Sequence, residues 1–207
     1  MTEEVQVWVA SLAVSEERYG KLSALIPRDE IERAAALHPV AARRYVVARG
    51  ILRQLLSGFT RSDPRKLRFD YSASGKPSLS NREDIHFNIS HSADLGLFAF
   101  SPDRPVGVDV ENERPVRRLL DVAQRFMTDS ELRVLAETPA AERNSEFLKS
   151  WVIREARLKA EGKGVWSGSL STSPQLTHRL FTPRAGYIAA IAAPASDWRL
   201  YTCAIKD

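Results

Sequence analysis

The sequence lacks the features that mark secreted, membrane-spanning or repetitive proteins. Its 207 residues contain a single cysteine, Cys203, which excludes an internal disulfide framework and suits a reducing compartment. No apolar run approaches the roughly 20 residues that a membrane span requires. The start, Met1 to Glu4, is acidic where a secretory signal would be basic. These absences predict a cytoplasmic protein that does not enter a membrane.

The composition is that of an ordinary globular protein. Hydrophobic residues make up 43% and charged residues 27% of the chain, enough for one large domain or two small ones. The net charge of +4 favours anionic partners: nucleic acid, phosphorylated cofactors or an acidic protein. The 30 basic residues are dispersed among 26 acidic ones without a continuous basic stripe, so nucleic-acid binding is the weaker alternative.

Hydrophobic spacing predicts an order of strand, helices and strands that occurs twice, before and after about residue 102. Strands are predicted at 5–10, 67–71, 85–90, 95–100, 106–110, 187–192 and 198–205. In the first part of the chain, helices are predicted at 15–26, capped by Ser15, then from Pro27, and at 41–56 after Pro39. In the second part, one helix is predicted to start at the capping box 128–131, and another to cover 145–161 and end before Gly162 and Gly164. The repeated order predicts an α+β protein made of two similar halves.

The segment GVDVE, residues 107–111, places two carboxylates on one face of a strand. Asp109 and Glu111 are two residues apart, so their side chains project together while Val108 and Val110 turn the other way. Their repulsion is unfavourable unless a cation lies between them, and all-oxygen ligands suit Mg²⁺. The alternative is a pair of solvated surface acids, which this segment by itself does not exclude.

The helix FLKSWVIREARLKAEGKG carries charges along an otherwise aromatic stripe. Phe147, Trp151, Glu155 and Lys159 follow one another at intervals of four. A buried charge is unfavourable unless it is paired or bound to a metal. Glu155 and Lys159 either pair with each other on a solvated face or extend the site begun by Asp109.

Two further segments supply groups suited to phosphate. FNISHS, residues 87–92, ends a predicted strand with Ser90, His91 and Ser92, which can donate hydrogen bonds to phosphate oxygens. SGKP, residues 74–77, is a turn that presents Lys76 as a fixed cation. Each segment is weak evidence without the others.

Taken in order, GKP, FNISHS, GVDVE and WVIREARLKAEGKG resemble the signature of the 4′-phosphopantetheinyl transferases, specifically the larger, monomeric type exemplified by the surfactin-synthetase activator. The resemblance runs from about residue 25 to 165. It implies a monomeric α+β pseudo-dimer with coenzyme A bound in the cleft between its halves, and Mg²⁺, or alternatively Mn²⁺, on the pyrophosphate. The half 1–102 would hold the nucleotide end, and the half 103–207 would form the metal site and dock the carrier.

The implied reaction transfers the phosphopantetheine arm of coenzyme A to a serine of an acidic acyl, polyketide or peptidyl carrier protein, and releases 3′,5′-ADP. By resemblance, Asp109, Glu111 and Glu155 are the metal ligands, and Glu155 or an activated water is the general base. Lys159 would contact the reacting phosphate. Asp109, Glu155 and Lys159 are therefore the implied catalytic residues.

The resemblance also assigns the nucleotide end of coenzyme A. Ser90 and His91 would hold its phosphates, with Lys76 near the nucleotide and Arg43 or Arg44 on a nucleotide phosphate. Two lysines that reach the 3′-phosphate in the family's type protein are replaced here by Asp29 and Glu32. Either Arg28 or Arg33 would substitute for them, or the adenosine end would be held differently.

Docking of the carrier protein is expected beside the acidic strand. Arg114, Arg117 and Arg118 in ERPVRRLL form a positive rim that could steer an acidic partner, although a solvated helix face is the alternative. A catalytically inert coenzyme A-binding protein is the remaining rival. The three acids and Lys159 are all present, which argues against it.

Overall fold

The computed structural model describes residues 4–163, 173–195 and 197–205, and these form a mixed α+β fold. The first part of the chain contains β1 (Glu4–Ser11), α1 (Glu16–Ser23), α2 (Arg28–Ala35), α3 (Pro39–Thr60), a 3-10 turn (Pro64–Lys66), β2 (Phe69–Tyr71), β3 (Pro77–Leu79), β4 (His86–Ser92) and β5 (Leu95–Ser101). The second part contains β6 (Gly107–Asn112), α4 (Leu119–Phe126), α5 (Asp129–Glu137), α6 (Arg143–Ala160), β7 (Leu176–Phe181), β8 (Tyr187–Pro194) and β9 (Arg199–Ala204). The predicted α+β class and the twice-repeated order of strand, helices and strands are confirmed.

Two sheets lie at the centre of the molecule. One has the strand order β4-β5-β1-β9 and the other the order β6-β8-β7. Alternate residues of β1 and β6, among them Val5, Val7, Val108 and Val110, share one buried cluster between the sheets. The last strand, β9, pairs in parallel with β1 and so belongs to the sheet formed by the first part of the chain.

Helices cover the outer face of each sheet. Leu52 and Leu56 of α3 pack against Phe98 and Phe100 of β5. On the other sheet, α6 packs against the small side chains of β8, including Ala190 and Ala192. Strand β8 is buried on both faces because its alternate residues contribute to the intersheet cluster and to the α6 cluster.

The backbone of β6 lies very close to α6. A Cβ atom placed on Gly107 would be 2.0 Å from the carbonyl oxygen of Ala156 and 2.3 Å from the nitrogen of Ala160. Only a residue without a side chain fits this contact. Gly107 therefore fixes the distance between the strand that carries Asp109 and the helix that carries Glu155.

Most predicted elements are confirmed within a few residues, including the Ser15 cap and the capping box of Thr128 and Glu131. Pro27 is the N-cap of α2 rather than part of its first turn. Pro39 is the first residue of α3 instead of preceding the helix, because a proline at the first helical position loses no hydrogen bond. The spacing did not predict β3, β7 or α4. Gly164 lies outside the described residues.

Candidate active site

Strand β4 faces β6 with a row of polar side chains at alternate positions. Ser90 Oγ donates a 2.8 Å hydrogen bond to Asp109 Oδ1, and Ser92 Oγ donates one of the same length to Glu111 Oε2. One step earlier along β4, Asn88 Oδ1 accepts the buried backbone N–H of Val108 at 2.9 Å. The hydroxyl groups thus hold both carboxylates on the face that the sequence predicted.

Helix α6 brings Lys159 onto the same carboxylate. Its Nζ lies 2.6 Å from Asp109 Oδ1, 3.2 Å from Ser90 Oγ and 3.3 Å from the carbonyl oxygen of Val108. Asp109 is only 5% exposed. A charge-assisted contact of this length in a buried setting stabilises the carboxylate and fixes the ammonium. Asp109, Lys159 and Ser90 therefore form one hydrogen-bonded unit.

Glu155, one turn before Lys159, lies in the field of the two strand carboxylates. Burial and then the negative charge of Asp109 raise the pKa of Glu155 to about 7, although Lys159 opposes the shift. Burial also raises the pKa of Glu111, with Asp109 adding to the effect and the Ser92 hydrogen bond opposing it. Burial and the charge of Asp109 therefore make ionisation of both glutamates less favourable.

The donor set suits a hard cation. Asp109 Oδ2 and Glu155 Oε1 are buried without a hydrogen-bond partner among the described residues, and such oxygens gain most from a bound ion. The part of the chain that the structure describes nevertheless contains no three His, Cys, Asp or Glu side chains gathered closely enough to hold a metal. The ammonium of Lys159 instead contacts Asp109 directly.

Two of the predicted nucleotide contacts lie beside this unit. Desolvation and the positive charges of Lys159 and Arg44 lower the pKa of His91. Arg44 donates two hydrogen bonds to Asp94 Oδ1, at 3.0 and 2.8 Å, next to the end of β4. His91 therefore lies within electrostatic range of Lys159, Arg44 and Asp109.

The other predicted nucleotide contacts have different surroundings. Arg43 lies over the ring of Tyr19 and bonds Glu16 and the Val14 carbonyl oxygen. Arg28 is exposed and pairs with Glu32 on its own helix. Lys76 directs its ammonium at two backbone carbonyls, those of Val106 and Lys159. The structure does not gather these three side chains at one point.

An apolar pocket opens next to Glu111. Val116, Val122, Phe147 and Trp151 line it together with Arg114. Phe126 makes an edge contact with the ring of Trp151, with centroids 5.2 Å apart. Along one face of α6, Phe147 and Trp151 therefore line the apolar pocket, and Glu155, one turn later, belongs to the charged site.

The sequence predicted Ser92 only as a phosphate donor beside Ser90 and His91, and it predicted no role for Asn88. Both follow from the alternation of a strand, since Asn88, Ser90 and Ser92 share one face. The sequence shows this period, but it does not show which strand the three side chains face. The facing strand, β6, belongs to a different sheet and is not a hydrogen-bonded neighbour of β4.

The chain matches the 4′-phosphopantetheinyl transferase superfamily over residues 105–202. It is 32% identical to the 4′-phosphopantetheinyl transferase HetI of Nostoc sp., over 96% of this chain and 91% of that protein. It is 29% identical to the 4′-phosphopantetheinyl transferase Sfp of Bacillus subtilis, over 73% of this chain and 67% of that protein. The protein belongs to the 4′-phosphopantetheinyl transferase superfamily, as the sequence motifs predicted.

No helix among the described residues is long and apolar enough to cross a membrane.

Proposed function

We propose that the protein transfers the 4′-phosphopantetheine arm of coenzyme A to a serine hydroxyl of an apo carrier protein and releases 3′,5′-ADP. The observation that carries this proposal is the unit of Lys159, Asp109 and Ser90 with Glu155 and Glu111 beside it. Relatives named as 4′-phosphopantetheinyl transferases support the same reaction.

In the proposed reaction the serine Oγ forms a bond to the phosphorus that bears the pantetheine arm, and the bond from that phosphorus to the pyrophosphate bridging oxygen breaks. Both electrons of that bond leave with 3′,5′-ADP. Glu155 or an activated water takes the serine proton. Burial and the charge of Asp109 raise the pKa of Glu155 to about 7 in the metal-free protein, which suits a proton acceptor, whereas a metal-bound Glu155 would be a weaker base and would leave this step to the water. The leaving oxygen carries the developing charge.

Lys159 is the chain's own source of positive charge at the transferring phosphate. Asp109 and Ser90 orient its ammonium, so little reorganisation is needed when negative charge builds up. Asp109, Glu111 and Glu155 would hold a Mg²⁺ or Mn²⁺ ion once their carboxylates closed around it, because they are not gathered closely enough for a metal in this structure. That ion would supply further charge neutralisation on the pyrophosphate.

For the nucleotide end of coenzyme A, His91 and Arg44 have the best support because the charges of Lys159 and Arg44 both act on His91. Ser90, Arg43 and Arg28 complete the proposed set. Lys76, which the resemblance also places near the nucleotide, directs its ammonium at the carbonyl oxygens of Val106 and Lys159 instead. The halves 1–102 and 103–207 would form a pseudo-dimer with coenzyme A in the cleft between them.

The proposed carrier surface combines charge and apolar contact. Arg114, Arg117 and Arg118 are exposed just after β6 and beside the apolar pocket, where they would attract the acidic surface of a carrier. A monomer suffices for this geometry, since one chain supplies every group named.

The test is mass spectrometry of apo acyl, polyketide and peptidyl carriers incubated with the protein, coenzyme A and Mg²⁺. A mass gain equal to phosphopantetheine on the carrier serine is expected. Binding of coenzyme A without any gain across the panel would support the inert alternative and contradict the transferase.

A further inference from the structure

The turn between β2 and β3 docks onto the carboxyl end of α6. Ser74 Oγ donates a 2.6 Å hydrogen bond to the carbonyl oxygen of Gly162, which follows the helix. The turn is itself closed by the backbone N–H of Lys76, which donates to Ser72 Oγ at 3.1 Å, and by Gly75 at a φ of 82°. A rigid turn therefore presents Lys76 to the helix end.

The Lys76 ammonium donates hydrogen bonds to two backbone carbonyl oxygens. It donates to the carbonyl oxygen of Lys159 at 2.6 Å and to that of Val106 at 3.1 Å. Lys159 is in the last turn of α6, whose carbonyls carry the negative end of the helix dipole. Burial lowers the pKa of Lys76 to about 8, in keeping with an ammonium largely withdrawn from water.

One of these carbonyls, that of Lys159, lies in α6, and the other, that of Val106, directly precedes β6. Lys159 itself contacts Asp109, and Val106 immediately precedes Gly107, where β6 and α6 are in contact. Lys76 therefore fastens the start of β6 to the end of α6. A relative displacement of these elements would change the Lys159–Asp109 contact, because β6 carries Asp109 and α6 carries Lys159.

We propose that Lys76 is a positioning residue for phosphopantetheine transfer: it ties β6 to α6 through their backbones and thereby holds the Lys159 ammonium on Asp109. The inference rests on the proposed function. It differs from the role that the family resemblance implies for this lysine, namely contact with the nucleotide, and the two roles have different kinetic signatures.

The deciding variant is Lys76→Met, with Lys66→Met as the matched control because Lys66 is an exposed lysine on the 3-10 turn. A positioning residue predicts a kcat about 10- to 100-fold lower in Lys76→Met, the range for a small misplacement of a reacting group. The KM for coenzyme A and the affinity for 3′,5′-ADP, measured by calorimetry, should change less than about twofold. Lys66→Met should behave as wild type.

A second measurement does not depend on turnover. Amide hydrogen exchange of the free protein should accelerate about tenfold or more in the segment 159–163 of Lys76→Met, and stay unchanged in Lys66→Met. If the methionine variant does not fold, Lys76→Arg replaces it in both measurements. Its guanidinium keeps the charge but not the geometry of the two contacts, so a reduced kcat with unchanged 3′,5′-ADP affinity is again expected.

Weakened 3′,5′-ADP binding at wild-type kcat would assign Lys76 to the nucleotide and overturn the proposal. Unchanged kcat with unchanged exchange would also overturn it. Absence of transfer by the wild-type protein is a separate outcome, since it contradicts the proposed function itself and with it any positioning role in transfer.

Discussion

Asp109 is the residue at which three elements of the site meet. Its Oδ1 accepts hydrogen bonds from Ser90 on β4 and from Lys159 on α6, while Oδ2 is buried without a partner in the described part of the chain. Loss of its charge leaves the Lys159 ammonium partly buried without its counter-ion, and removes one proposed metal ligand. The residue therefore links fold stability to the proposed chemistry.

Asp109→Asn should lower the rate of phosphopantetheine transfer by at least about 100-fold, because the charge that orients Lys159 is gone. Carrier mass spectrometry measures the rate, and circular dichroism checks that the fold survives. Asp84→Asn is the control, since that exposed aspartate pairs with its near neighbour Arg82. A wild-type rate in Asp109→Asn would rule out the proposed site.

Glu155 predicts a pH dependence of stability in the metal-free protein. Its pKa of about 7 when folded exceeds the ordinary value of 4.5, so the folded state binds the proton more tightly than the unfolded state. The contribution of Glu155 to the free energy of unfolding should therefore fall as pH rises from 4.5 to 7. The contribution is about 1–2 kcal/mol after allowance for partial exposure.

Denaturant unfolding in the presence of a chelator, at pH 5 and pH 7.5, measures this loss. Glu155→Gln should lack this contribution, because glutamine does not titrate. The stability of wild type minus that of Glu155→Gln should therefore be smaller at pH 7.5 than at pH 5, while the lowered pKa values of His86, His91 and His178 affect both proteins alike. Parallel stability curves for wild type and Glu155→Gln would show that the Glu155 pKa is not raised.

At the scale of elements, the contact between β6 and α6 depends on one missing side chain. Gly107→Ala would put a methyl group 2.0 Å from the carbonyl oxygen of Ala156, so strand and helix must separate. A loss of at least about 3 kcal/mol in unfolding free energy is expected. Gly58→Ala is the control: it lies in α3 with open space around it, and should gain about 0.5–1 kcal/mol. Equal stabilities would disprove the close contact.

Helices α2 and α3 are joined by a buried ionic cluster. Glu30 Oε1 lies 2.7 Å from both Arg49 and Arg53, and all three side chains are buried. Burial opposes ionisation of Glu30, but hydrogen bonds from the two arginines lower its pKa overall. Both arginine guanidinium groups also lie over the ring of Phe69. Their burial depends on the one carboxylate.

Glu30→Ala should cost about 3–5 kcal/mol of unfolding free energy, because it leaves two buried cations without a counter-ion. Glu32→Ala on the same helix removes an exposed pair with Arg28 and should cost less than about 1 kcal/mol. Thermal and denaturant unfolding compare the two variants, and similar losses would contradict the buried cluster.

The sequence predicted the elements whose hydrophobic residues are strongly periodic. It did not predict features that depend on contacts with distant parts of the chain. The strands at 85–90, 95–100 and 106–110 and the helix at 145–161 have clear periods, so their existence and approximate bounds were predicted. Strand β3 has three residues, and Leu180 of β7 is exposed, so neither shows a period. Arg49 and Arg53 have the spacing of a solvated helix face, and only the distant Glu30 explains their burial.

The site was predicted to a similar extent. The strand period put Asp109 and Glu111 on one face, and the stripe of α6 put Glu155 and Lys159 in line. That these two elements meet was known only through the family resemblance. The direction of the Lys76 ammonium toward the backbone could not be read from a Gly-Lys-Pro turn, because it depends on where α6 ends.

At the scale of the molecule, charge and apolar surface occur together near the site. Arg114 lines the apolar pocket beside Glu111, and Arg117 and Arg118 follow within four residues. Arg118 pairs with Asp121, so its charge is partly offset, whereas the exposed Arg117 makes a cleaner test.

Arg117→Glu should raise the KM for an acidic carrier about tenfold and leave the KM for coenzyme A unchanged, because reversal of a rim charge mainly slows association. The defect should shrink as salt rises. Arg61→Glu, an exposed arginine at the end of α3, is the control. An equal effect in both variants would contradict a local docking surface.

The parallel pairing of β1 with β9 has a consequence for biosynthesis. Val5 of the first strand lies beside Leu200 of the last, so one edge of the central sheet cannot form until nearly all of the described chain has left the ribosome. Contacts of such large sequence separation slow folding. The nascent chain therefore holds an unpaired β1 edge until β9 has been made, and during that time the edge is open to pairing with other chains.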